Sequence, residues 1–156
     1  MKVGLALSGG GARGFAHLGV LKALEEANIN VDVISGASAG SLAASFYSYG
    51  YKPEEILDIF EHTNILKLVW PAFSFTGLLS IQKTESVYKK YLEADSFEAA
   101  KIPLFISTTN LNEGKAEMFN SGSLRQAVMA SCCIPFIFDP VKIGDDFYVD
   151  GGILNN

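Results

Sequence analysis

Twice within the first forty residues, an apolar run ends in a glycine-rich turn and passes directly into a helical pattern. The first unit is KVGLALS (2–8) followed by GGGARG (9–14). The second is VDVIS (31–35) followed by GASAG (36–40). Short apolar runs bounded by glycine read as buried strands. After the first turn, Phe15, Leu18, Val20, Leu21 and Leu24 recur at helical spacing within 12–28, with Lys22, Glu25 and Glu26 on the wet face. After the second, a small-residue stretch from Ala39 to Tyr49 reads as a helix stopped by Gly50. Tandem strand–turn–helix units commit the chain to an α/β fold. The expectation is a mainly parallel sheet with helices on both faces, in three α/β/α layers.

The remainder extends the pattern. Pro53 opens a helix at PEEILDIFEHT with acids in its first turn. Thr84 to Leu92 reads as a further helix, and Ser123 caps another that runs to about Ala130. IPLFISTT (102–109) is a third buried strand, EGKAEMF (113–119) a fourth, and VKIGDDFYVD (141–150) a hairpin turning at Gly144-Asp145. No repeat and no low-complexity linker interrupts the chain, so residues 1–156 are expected to form one domain.

Composition narrows the function classes. With 12 basic and 17 acidic residues, the net charge is −5 and no basic stripe is present, which argues against a nucleic-acid partner. No apolar stretch has the length of a membrane span, and the N-terminal run is too short for a signal-peptide core. Cys132 and Cys133 are adjacent and read as buried free thiols in a reducing compartment. Two cysteines and the separated His17 and His62 do not make a metal site, and no cofactor is expected.

Ser38 sits at the centre of G-x-S-x-G, where a buried strand turns into a helix. A nucleophile there is displayed at the carboxyl edge of the sheet, against a helix N-terminus that favours developing negative charge. Gly9-x-Gly11-x-x-Gly14 permits two readings, a pyrophosphate cradle or an oxyanion hole, because either uses backbone N–H groups at a helix start. Asp32 tempts toward a dinucleotide site, but it starts its strand and lies at the wrong edge. Arg13 adds positive charge to the loop, suited to a phosphate head group or to stiffening the turn.

Ser38 needs a base, and after His62 the chain has no histidine. A carboxylate held against the hydroxyl can take the proton instead. Asp150 in YVDGGILNN closes a strand, and the glycines behind it permit a sharp bend and close approach. Asp145 and Asp146 are hairpin-turn acids. Asp32, Asp58, Asp95 and Asp139 have no comparable glycine context.

Four segments in order, Gly9-Gly10-Gly11-Ala12-Arg13-Gly14, Gly36-Ala37-Ser38-Ala39-Gly40, Ala130-Ser131-Cys132-Cys133-Ile134-Pro135 and Asp150-Gly151-Gly152, resemble the patatin-like phospholipases, especially the small bacterial members. The resemblance covers essentially the whole chain. It implies a serine lipid acyl hydrolase with Ser38 as nucleophile and Asp150 as base, without histidine or metal. It also implies an oxyanion hole from the loop Gly9, Gly10, Gly11, Gly14 with the Ala39 N–H, Arg13 lying close by. Ser131 to Pro135 would line or buttress the site, and His17 would serve packing or loop support rather than catalysis. The chain stops six residues after Asp150, where domains of that family continue, so a trimmed domain or a minimal member is expected.

Two other classes compete: a lipid- or anion-binding module of the same fold without catalysis, and a dinucleotide-binding domain. Residues 65–81 crowd apolar side chains without clean periodicity. There Trp70, Phe73, Phe75, Leu78 and Leu79 are expected either to cap an acyl groove or touch a membrane, or to form a satellite core under a long connection. The expected location is the cytoplasm, peripheral to the membrane.

Overall fold

The computed structural model describes residues 2–63 and 86–156. The expected apolar segment with Trp70, Phe73, Phe75, Leu78 and Leu79 lies outside the described residues. Six strands form one sheet: β1 (Gly4–Leu7), β2 (Val33–Ala37), β3 (Leu104–Asn110), β4 (Lys115–Phe119), β5 (Val141–Ile143) and β6 (Asp146–Asp150). The helices are α1 (Phe15–Glu26), α2 (Ala39–Ser48), α3 (Pro53–Thr63), α4 (86–91) and α5 (Leu124–Ser131). Among them, none is long and apolar enough to cross a membrane.

β1, β2 and β3 run parallel, as the two strand–turn–helix units require. β4, β5 and β6 are antiparallel additions, and β5 and β6 form the expected hairpin with Gly144 at φ +63°. β3 organises the whole. Ile106 and Ser107 pair with β4 as well as β2, and Thr108 to Asn110 pair with β4 as well as β6. β4 therefore owns one edge of β3, and β2 and β6 share the other. Ala37 stands opposite Ser107 and Asp150 opposite Thr108, so the carboxyl ends of β2 and β6 meet head-on.

The sheet face bearing Leu7, Ile34, Gly36, Leu104 and Ile106 is buried against the helical core. The opposite face carries Ala6, Ser35, Phe105 and Met118, which are exposed or half-buried. All ten residues of α2 are buried, which its small side chains permit. Its hydroxyls satisfy themselves within the helix: Ser41, Ser45 and Ser48 donate to the carbonyls of Ser38, Leu42 and Ser45 at 2.6, 2.9 and 2.9 Å. Phe46 carries the apolar load of α2, with rings of Phe60 and Tyr88 both 5.5 Å away edge-on.

The glycines of G-x-S-x-G are packing necessities. A Cβ on Gly36 would lie 2.5 Å from the Gly40 carbonyl oxygen and 2.6 Å from the Ser41 Cα. A Cβ on Gly40 would run into the Leu7 carbonyl at the end of β1. Thus α2 begins pressed against two strands, and the first glycine loop starts at that same place.

Candidate active site

The residues 8–14 form a tight loop on the start of α2. The Arg13 N–H donates to the Gly10 carbonyl at 3.1 Å, closing a 3-10 turn (Gly11–Gly14), and Gly11 takes φ +55°. A Cβ on Gly14 would lie 2.7 Å from the Ala39 Cβ, and one on Gly9 3.1 Å from the Ser38 Cβ. The expected loop residues are therefore brought against Ser38 and Ala39. Arg13 itself is exposed. His17, from the first turn of α1, places Nε2 2.8 Å from the Ser8 carbonyl and supports the loop, as expected of it.

Ser38 forms the elbow between β2 and α2. Its backbone is at φ +50°, ψ −122°, a conformation that non-glycine residues rarely hold without support from their surroundings. The support is specific. The Ser38 N–H donates to Ser131 Oγ at 2.8 Å. Its carbonyl accepts from Ser41 Oγ at 2.6 Å and from Cys132 Sγ at 3.4 Å. Only 6% of Ser38 is exposed.

Asp150 arrives from the other direction, at the end of β6, with 8% of its surface exposed. Its N–H donates to the Cys133 carbonyl at 2.8 Å, and its own carbonyl accepts from Thr109 Oγ1 at 3.0 Å. The carboxylate Oδ1 accepts from the Gly152 N–H at 2.8 Å. Burial raises its pKa above the ordinary 3.8, and hydrogen bonds from the Ser38 side chain and the Gly152 N–H pull it partly back. So the structure brings Ser38 and Asp150 together, side chain to side chain.

Other titratable groups fall away. Asp32 accepts from the Val3 N–H at 2.7 Å, at the opposite end of the sheet, where it ties down the entry to β1. His62 pairs with Asp58 on the exposed side of α3 at 3.1 Å. The two thiols are buried and unionised, Cys132 pushed up to about 12 and Cys133 to about 11, in both cases chiefly by burial.

Sequence reasoning missed Asn156. Its Oδ1 accepts from the Gly9 N–H at 2.6 Å, linking the segment after Asp150 to the glycine loop. Ser107 Oγ donates to the Asn155 carbonyl at 3.2 Å and steadies the same segment. The available signal was the polar pair Asn155-Asn156, placed one short turn beyond the flexible glycines. Ser131 was expected to line or buttress the site, but its bond from the Ser38 N–H was not foreseen.

The arrangement offers a hydroxyl beside a carboxylate, at a helix N-terminus. The backbone N–H groups of Gly10 and Gly11 in the glycine loop, and of Ala39 at the start of α2, have no protein acceptor among the described residues. That combination suits nucleophilic attack on a carbonyl and stabilisation of the resulting oxyanion.

A family model for patatin-like phospholipases matches residues 5–156. An uncharacterised NTE family protein of Mycobacterium tuberculosis is 34% identical over 161 residues, covering 99% of this chain and 43% of that protein. Lysophospholipase NTE1 of Kluyveromyces lactis is 30% identical over 166 residues, covering 99% of this chain and 11% of that one. Among solved structures, VipD from Legionella pneumophila aligns with a TM-score of 0.70 at 20% identity, over 99% of this chain and 46% of that one. The chain thus spans less than half the length of each of these proteins.

Proposed function

The chain belongs to the patatin-like phospholipase family, and on that premise we propose that it is a serine acyl hydrolase of lipid esters, working through a Ser38–Asp150 dyad. The observation that supports the reading is the head-on meeting of β2 and β6 on one edge of β3, together with the Ser38 side-chain hydrogen bond that holds the Asp150 pKa partly down. Asp150 takes the hydroxyl proton as Ser38 Oγ attacks the ester carbonyl carbon. The carbonyl oxygen becomes an oxyanion held by the N–H groups of Gly10, Gly11 and Ala39. Each such donor contributes on the order of 3 kcal/mol in comparable sites. Collapse breaks the ester C–O bond, and Asp150 returns the proton to the departing alcohol. Asp150 then takes a proton from water as it attacks the acyl-serine carbonyl, and passes that proton to Ser38 Oγ as the C–O bond to serine breaks and the fatty acid leaves. Partial desolvation suits Asp150 to this work, because a free aspartate is a weak base.

The proposed substrate class is a lysophospholipid or another single ester at a lipid surface, in keeping with the Kluyveromyces lactis relative. The exposed Arg13 in the glycine loop supplies a positive charge suited to a phosphate head group. The dinucleotide alternative loses its acidic partner, since Asp32 lies at the far end of the sheet.

The test is intact mass after treatment with a fluorophosphonate. One adduct is expected on the wild type, none on Ser38→Ala, and a greatly slowed adduct on Asp150→Asn. A folded wild type that takes no adduct overturns the hydrolase reading for this chain. Lipid binding without an adduct would favour a binding module of the same fold.

A further inference from the structure

Three consecutive residues at the end of α5 reach three main-chain groups of the dyad. Ser131 Oγ accepts from the Ser38 N–H at 2.8 Å, Cys132 Sγ donates to the Ser38 carbonyl at 3.4 Å, and the Cys133 carbonyl accepts from the Asp150 N–H at 2.8 Å. We propose that Ser131-Cys132-Cys133 is a clamp that positions nucleophile and base relative to each other, with Ser131 as the principal positioning residue. The proposal rests on the hydrolase reading for its catalytic consequence, though not for its geometry.

Ser131 is 0% exposed, and both roles of its hydroxyl are used. Its hydrogen goes to the Ser107 carbonyl at 2.7 Å, which leaves a lone pair aimed at the Ser38 N–H. Ser107 is the β3 residue opposite Ala37, so the hydroxyl bridges β3 to the elbow that β2 feeds. This matters because Ser38 holds a rare positive φ, and such a conformation persists only where its surroundings over-determine it. The bond also commits the Ser38 N–H, so the oxyanion is left to the neighbouring Ala39 N–H and the glycine loop.

The three bonds are not equal. Ser41 Oγ duplicates the Cys132 contact from 2.6 Å, so the thiol is the minor member. Cys133 acts through its carbonyl, while its buried thiol donates to the Asp139 carbonyl at 3.1 Å. Among the described residues no other group accepts from the Ser38 N–H. Because all three groups come from the end of one helix, a shift of that end moves nucleophile and base together.

The test compares Ser131→Ala, Ser131→Thr and Ser45→Ala. It measures kcat and KM on a p-nitrophenyl acyl ester, the fluorophosphonate labelling rate, and hydrogen exchange at the Ser38 amide by NMR. Ser131→Ala is expected to lower kcat and labelling by about 10²-fold with little change in KM, the size of loss that small misplacements cause. The Ser38 amide should lose its protection in the same variant, and Ser131→Thr should restore part of both. Ser45→Ala removes an equally buried hydroxyl from the middle of α2. It is expected to lower Tm and leave kcat alone.

Wild-type kcat or unchanged Ser38 protection in Ser131→Ala overturns the clamp. So does a kcat loss in Ser131→Ala that merely matches the fraction unfolded. Should Ser131→Ala fail to fold, the wild-type Ser38 amide decides: exchange as fast as in an open loop overturns the proposal. A wild type that takes no label, yet whose Ser38 protection depends on Ser131, ends the hydrolase reading and leaves the clamp standing.

Discussion

Ser38 directly follows Ala37 at the end of β2 and Asp150 closes β6, and Ala37 and Asp150 stand opposite the consecutive residues Ser107 and Thr108 on one edge of β3. No loop excursion is needed to bring them together; the register does it. The cost is a buried carboxylate, and it has a sign that can be measured.

Burial raises the Asp150 pKa above 3.8 in the folded protein. Between 3.8 and the raised value, the folded chain holds a proton that the unfolded chain has released. The stability contributed by this group therefore falls as pH rises through that window and stays low above it. Asp150→Asn keeps an oxygen for the Gly152 N–H and removes the charge. It is expected to abolish most activity yet raise Tm at pH 7, with the gain shrinking as pH falls through the window. Thermal melts of both proteins across that range check this, and a lower Tm for the variant at pH 7 would contradict it. The acid limb of wild-type kcat should likewise lie above the pKa of a free aspartate.

A second prediction concerns Gly40, where a Cβ would run into the Leu7 carbonyl. The obstacle is backbone at the end of a strand, which cannot swing aside. Gly40→Ala is expected to destabilise by about 1–3 kcal/mol or more, as over-packing does. Gly19, on α1, has nothing within 4 Å of its Cβ position, and Gly19→Ala should be neutral or stabilising. Urea midpoints of the two variants, measured side by side, separate packing from a general intolerance of change.

Much of this was legible in advance because the signals were local. Apolar runs into glycine turns mark β1 and β2 with their helices, and a Ser at the centre of the second turn is placed by that alone. Asp150 was legible through the two glycines behind it. The pairing of β2 and β6 on a shared edge of β3 was not, because it depends on where two distant strands stop along a third. Nor was the role of Ser131, since a helix-ending serine before Pro135 reads the same whether it caps a turn or holds the nucleophile. Asn156 escaped because a hydrogen bond to a residue 147 positions away leaves no periodicity.

The thiols test the electrostatics directly. Cys132 at about 12 and Cys133 at about 11 are protonated at any working pH. Only a thiolate attacks an alkylating reagent at a useful rate. Iodoacetamide at pH 8 should leave the folded protein unmodified by mass, and should add twice once urea unfolds it. Activity should survive the native treatment, because neither buried thiol reacts. Rapid native modification of either residue would mean that the site is far more open than its burial indicates.

The last prediction turns on Asn156, whose Oδ1 accepts from the Gly9 N–H at 2.6 Å. That bond fixes the end of the glycine loop nearest Ser38. Asn156→Ala removes a neutral acceptor, worth about 1 kcal/mol net, and is expected to lower kcat about fivefold. Asn156→Asp keeps an acceptor of the same shape but puts a negative charge on the glycine loop that is proposed to hold the oxyanion. Like charge opposes the transition state in a partly water-excluded site. The aspartate variant should therefore fall further than the alanine variant, although it preserves the hydrogen bond. If the contact served only to steady the loop, the order would reverse, and kcat measured on the two variants at one pH decides between them.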